Sequence, residues 1–143
     1  MWIWNDPTGF APPRVLSTGE EEVRASFTRC GPGRGHACVV DGDTFKLGTR
    51  KIRIEGIDAP EVHPAQCPEE ARLGEQATAK LIALLNDGPF RMTGWLHRRS
   101  DQYGRELMII TRKRADGSTQ DIADTMVESG LAHRYRGFKT GWC

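Results

Sequence analysis

Between Val39 and Glu61 the chain reads VVDGDTFKLGTRKIRIEGIDAPE, and no other stretch limits its folding so tightly. Thr44–Leu47 and Lys51–Ile57 alternate apolar and polar residues around Gly48, which predicts two antiparallel strands and a turn. Strand side chains alternate, so Ile52 and Ile54 should face one way and Arg53 and Glu55 the other. The acids Asp41, Asp43, Asp58 and Glu61 then gather at the open end of one hairpin. With the turn near Gly48–Thr49, Asp43 is expected opposite about Glu55, with Asp58 just beyond. That much like charge in one place is unfavourable unless a cation sits among it.

The rest of the chain frames this hairpin. Phe27–Cys30 and Ala37–Val40 read as short strands around the loop GPGRGHA. Pro68 to Asn86 reads as a helix: Pro68 suits a first turn, and Glu69 and Glu70 suit its positive end. Leu73, Ala77, Leu81, Leu84 and Leu85 repeat every three or four residues, an apolar stripe for a core. Asp87-Gly88-Pro89 stops it. Phe90–His97 and Glu106–Arg112 read as strands, and Ala115–Ser118 as a turn. Asp121–Ser129 reads as a second helix with Ile122, Met126 and Val127 inward and Gly130 as its stop. The order predicts a β-rich α+β domain, a five-stranded Greek-key barrel of the OB type with two or so helices packed on it.

At 143 residues the chain suffices for one domain with a core. Residues 1–25 lack any period and read as a weakly ordered extension, with Trp2 and Trp4 placed to dock on a body spanning 26–143. No run approaches the ~18 apolar residues of a membrane span. MWIWNDPTGF lacks the basic start of a secretory leader, so the protein is expected either to be cytoplasmic or to have its leader outside this sequence. Residues 37–89 carry nine acids against six bases, and residues 90–143 ten bases against six acids. An acidic pocket beside a basic surface suits a metal and a polyanion.

Cys30 and Cys38 flank a loop able to turn back on itself, and pairing them leaves Cys67 with Cys143, the last residue. Such pairs imply an oxidising compartment, periplasmic or extracellular. Free thiols are a second reading. A third is a zinc site drawn from Cys30, His36, Cys38, His63 and Cys67, although C-x7-C and H-x3-C fit no common zinc spacing.

A hard cation such as Ca²⁺ would relieve Asp43 and Asp58 by taking oxygen ligands. An EF-hand is excluded, since the sixth position of DGDTFKLGTRKI is Lys46 and not Gly. Taken singly, DG and DAP are also common turn sequences. Arg53 lies between the two acidic clusters, and Asp101-Gln102-Tyr103-Gly104-Arg105 offers a second arginine beside a glycine. Two arginines next to carboxylates and a metal make a phosphate clamp, because guanidinium forks fit phosphate oxygens and stay charged.

The pattern DGDT…RIEGIDAPE…GExA…DQYGR…MVESGLA resembles the staphylococcal nuclease (thermonuclease) family over about residues 37–135. The resemblance implies an OB-fold and a Ca²⁺-dependent nuclease with little sequence preference. Such an enzyme acts on DNA and RNA, cleaves on the 5′ side of the phosphate and leaves 3′-phosphates. Carried over by motif, Asp43 and Asp58 would be the carboxylate ligands of Ca²⁺. Ala59, where the namesake enzyme has Thr, would add its backbone carbonyl. Glu61 would position or deprotonate the attacking water, and Arg53 and Arg105 would bind the phosphate. Asp41 would be a turn residue shaping the site, and His63 a surface or capping residue.

With YRGFKTGWC as its last residues, the chain is expected to lack a counterpart of the type member's third helix. Tyr135, Phe138 and Trp142 interleave with Arg134, Arg136 and Lys139, a composition suited to single-stranded nucleic acid; packing beneath a Cys67–Cys143 bond is the alternative. Tyr103 and Tyr135 are candidate substrate contacts. A monomer acting on DNA and RNA, away from membranes, is expected. Two other classes compete. A binding module that had lost its chemistry should lack carboxylates or arginines, yet all five matched positions are present. A domain binding Ca²⁺ for stability alone leaves Arg53 and Arg105 unexplained.

Overall fold

The structure, a computed structural model, describes residues 19–31, 36–95, 100–135 and 141–143. Trp2, Trp4 and Phe138 lie outside these. The hairpin forms as β4 (Thr44–Leu47) and β5 (Arg50–Ile54), with Gly48 in the turn at φ +61°. On one side β3 (Ala37–Asp41) pairs antiparallel with β4; on the other β8 (Glu106–Lys113) pairs parallel with β5 and antiparallel with β7 (Phe90–Thr93). The strand order β7-β8-β5-β4-β3, with one parallel contact and a helix before β7, is that of an OB-fold. The sheet curls as a half-barrel. Three rings fill it: Phe27, Phe45 and Phe90 lie 5.6–6.0 Å apart, two of the three pairs edge to face.

Further short strands extend this frame. β1 (Glu21–Val23) pairs with β7 and β2 (Thr28–Arg29) pairs parallel with β3. β9 (Thr119–Asp121) pairs with β8. The segment expected to be a loose extension to residue 25 thus ends in an edge strand. Val23 is buried, and Glu21 joins Arg50 and Glu106 in one ion-pair network.

The expected strand Lys51–Ile57 stops at Ile54, because Gly56 takes φ +86° and turns the chain. β6 (Ile57–Asp58) then leaves the main sheet and pairs with β10 (His133–Arg134). The expected strand Phe90–His97 ends at Thr93, and residues 96–99 lie outside the described ones.

The helix α1 (Pro68–Leu85) runs as predicted, with Cys67 as N-cap and Asn86 as C-cap. Its buried face is shifted by one position: Gly74 and Thr78 are covered, whereas Leu73 is half-buried. Leu81 and Leu85 anchor it in the core beside β3. At its C-terminal end Arg112 Nη2 donates to Leu84 O, in the last helical turn, at 2.7 Å and to Gly88 O, in the following turn, at 2.8 Å. α2 (Ile122–Glu128) is capped by Asp121, whose Oδ1 accepts the Asp124 N–H. It buries Ile122, Ala123 and Met126, with Val127 half-buried against the core.

Candidate active site

The β3–β4 turn carries Asp41, Gly42 and Asp43. The Asp43 N–H donates to Asp41 Oδ1 at 3.2 Å, a side-chain closure that aspartate favours in turns. Asp43 is 3% exposed. Its Oδ1 accepts the Thr44 hydroxyl at 2.8 Å, its Oδ2 accepts the Ala59 N–H at 3.0 Å, and Arg53 Nη2 stands 3.9 Å from Oδ2. The Ala59 bond draws the residue after Asp58 onto Asp43, so the two ends of the hairpin meet. The two-residue turn at Gly48–Thr49 sets Thr44 opposite Arg53. Asp43 therefore bonds Ile54, one position short of the expected Glu55.

Close packing makes this meeting possible. A Cβ on Gly42 would lie 2.7 Å from Ala77 Cβ and 2.8 Å from Ala59 Cβ. DGDT, IDAPE and GExA, three motifs distant in sequence, thus touch through their smallest residues.

The electrostatics divide the acids. Burial alone would raise the Asp43 carboxyl. The Arg53 charge, together with hydrogen bonds to Asp41, Ala59 and Thr44, outweighs it and holds Asp43 below the usual carboxylate range. Asp41 goes the other way: burial first, then the charges of Asp43 and Glu61, push it up to about 9. Asp41 is therefore more than a turn former. It belongs to the acidic cluster, and its carboxyl is raised where that of Asp43 is lowered.

Arg53 is 9% exposed, not the solvated base its place on a polar strand face suggests. Nη1 donates to Ile54 O at 3.2 Å and Ile57 O at 2.9 Å, so the guanidinium spans the bend between β5 and β6. Tyr135, 41% exposed, lies over it at 5.7 Å, held by a bond from its N–H to Gly56 O. Behind this pair, Asp58 is buried and stands in register with His133, whose ring stacks on Trp142 at 3.7 Å. Cys143 is disulfide-bonded to Cys67, and Cys30 to Cys38. Neither the thiol nor the zinc reading survives these bonds. Trp142 packs one ring face on His133 next to the Cys67–Cys143 disulfide.

Glu61 is half-buried just before the loop leading to α1. Its N–H donates to Glu70 Oε2 at 3.0 Å, and the Gln66 N–H donates to Glu70 Oε1 at 2.8 Å. One turn along the helix, a Cβ on Gly74 would lie 2.8 Å from Glu61 O. His63 is exposed, as expected of a surface residue. Glu70 went unnoticed in the sequence because an acid in a first helical turn already has a dipole role. Gly74 left a signal, a glycine inside a helix, which is costly without a packing reason.

Arg105 lies just before β8, whose Leu107 is in register with Arg53. Its guanidinium is engaged by Asp101, Nε to Oδ2 at 2.6 Å, and stands 5.2 Å from the exposed Tyr103 ring. Asp101 Oδ1 also accepts the Tyr103 and Arg105 N–H groups. Burial would raise the Asp101 carboxyl, but these bonds outweigh it and lower it. Each arginine therefore carries an exposed tyrosine. Arg53 contacts Asp43, whereas Arg105 is held through its own loop.

Among the described residues no three His, Cys, Asp or Glu side chains are grouped to hold a metal by themselves. A cation here would combine Asp43 and Asp58 with backbone and water oxygens. An all-oxygen set of that kind is the type that hard cations take.

The family described as staphylococcal nuclease homologue matches residues 51–141. The match takes in Arg53, Asp58, Glu61 and Arg105 and begins after Asp43. Over 101 residues the chain is 33% identical to the succinoglycan biosynthesis protein ExoI of Rhizobium meliloti (strain 1021), covering 68% of this chain and 50% of that protein. The chain thus spans about half the length of this curated relative.

Proposed function

The chain belongs to the staphylococcal nuclease homologue family, and on that premise we propose that it is a Ca²⁺-dependent nuclease that hydrolyses DNA and RNA with little sequence preference. The observation that carries this reading is Arg53: a buried guanidinium against a buried carboxylate, under an exposed tyrosine. Buried ions are costly to keep, and such perturbed pairs concentrate at functional sites. In a binding module the same place could be filled with apolar side chains at no cost.

In this reading Asp43, Asp58 and the Ala59 carbonyl would hold Ca²⁺, which would supply polarisation of the phosphate and offset its charge. Arg53 and Arg105 grip phosphate oxygens and stabilise the charge that builds on them. Glu61 takes a proton from water as the water oxygen bonds to phosphorus. The bond from phosphorus to the 5′ oxygen breaks, and that oxygen gains a proton to become a 5′-hydroxyl, leaving a 3′-phosphate. Tyr135 and Tyr103 supply faces for unstacked bases. The two disulfides suit an oxidising compartment.

The test is incubation with plasmid, denatured DNA and RNA, in millimolar Ca²⁺ or in EDTA. Cleavage in Ca²⁺ alone, with 3′-phosphate ends, is expected. No cleavage at micromolar protein sinks the enzyme reading, and retained binding without cleavage would identify a binding module.

A further inference from the structure

The loop 61–66, EVHPAQ, separates the acid assigned to the attacking water from the start of α1. A carboxylate on such a segment gains nothing from its chemistry unless its backbone is held still. Both ends of the loop are tied to one side chain. Glu70 accepts the Glu61 N–H on one oxygen and the Gln66 N–H on the other. Glu70 is 6% exposed, and a buried carboxylate is tolerated only where donors replace its water. Its own N–H donates to Cys67 Sγ at 3.4 Å, so it stands on the capped first turn of the helix.

Gly74 completes the arrangement. With no Cβ there, the Glu61 carbonyl lies flat on the helix one turn below Glu70. The Glu61 backbone is thus held at its N–H by a charge-assisted bond and at its carbonyl by close packing.

We propose that Glu70 is the positioning residue of this site: its carboxylate closes the 61–66 loop and fixes the backbone from which Glu61 reaches water. The inference rests on Glu61 having the role given above. Glu70 touches neither phosphate nor water and acts through Glu61.

Three measurements test it on the full chain with denatured DNA and Ca²⁺. Glu70→Ala should lower kcat by roughly 10–100-fold, the loss that a shift of about 1 Å produces, with KM changed less than about twofold. In a Glu61→Gln background the same substitution should change kcat less than about twofold, because residues acting as a unit are not additive. A purely structural role would subtract in both backgrounds. Should Glu70→Ala fail to fold, Glu70→Gln keeps the volume and one acceptor and takes its place.

Amide hydrogen exchange gives a readout independent of cleavage. The Glu61 and Gln66 amides should be protected in the wild type and lose protection together in the Glu70 variant. Unchanged protection, unchanged kcat, or a full additive loss in the Glu61→Gln background would each overturn the proposal. A wild type that cleaves nothing overturns the nuclease reading and the catalytic half of this one. The two amides still decide whether Glu70 holds the loop.

Discussion

Arg53 and Arg105 share a charge and a proposed substrate but not a setting, and their substitutions should separate. Arg53 satisfies two backbone carbonyls and faces a buried carboxylate. Arg53→Ala should therefore lose activity and also about 3 kcal/mol of stability, the scale of breaking a buried pair. Arg105→Ala should lose ~10²–10³-fold in rate, like Glu61→Gln, with stability changed by less than about 1 kcal/mol. Urea unfolding beside single-turnover cleavage separates the two, and equal stability losses would mean that Arg53 does not staple the bend. Asp101 sets a pH test. Its carboxyl is lower in the folded chain than its ordinary 3.8, so its stabilisation is complete above about pH 4 and fades as pH falls further. The melting difference between wild type and Asp101→Asn should be constant from pH 8 to 5 and shrink below 4. A difference that instead grew on acidification would contradict that sign. These residues were legible as types: carboxylates and arginines in spaced motifs announce their chemistry. The burial of Arg53 and the half-burial of Asp41 were not, because alternation reports a face and not what covers it.

At the scale of elements, helix α1 is the part that shapes the site. It supplies Ala77 to the DGDT turn and both Glu70 and Gly74 to the Glu61 backbone. Gly42→Ala should cost about 1–3 kcal/mol, because the added methyl meets two Cβ atoms that cannot swing away. It should also cut activity more than its stability loss explains, since Asp43 follows directly. A thermal melt with a rate at a temperature where the variant is folded checks both, and a neutral Gly42→Ala would show that the three motifs can part. The helix was readable from its period, its proline start and its stop. Its facing was readable to within one position; Gly74 and Thr78 displaced Leu73 because the Glu61 backbone lies against the glycine. The single strand expected to run from Lys51 to Ile57 became two, since Gly56 permits a bend that the Arg53 guanidinium and the β10 pairing then hold.

For the molecule as a whole, the two disulfides do different work. Cys30–Cys38 joins residues 8 apart, whereas Cys67–Cys143 joins residues 76 apart. Loop entropy assigns them about 2.5 and about 4.5 kcal/mol. Cys143→Ser should therefore lower the denaturation midpoint more than Cys38→Ser, and the reverse order would refute the loop account. The longer bond also brings the C-terminus, with Trp142 on His133, behind Asp58. By itself the sequence determined the two helices, the central hairpin with the strands beside it, their order, and the chemistry they carry. Periodicity, turn residues and side-chain charge are local properties, and an ordered set of motifs constrains topology. Only the tertiary structure decided which charges are buried and what they meet. Asp43 is completed by Ala59, 16 residues on, and the Glu61 backbone by a helix that begins beyond its own loop. Burial and hydrogen-bond closure depend on partners brought together by packing, and no window along the chain contains them.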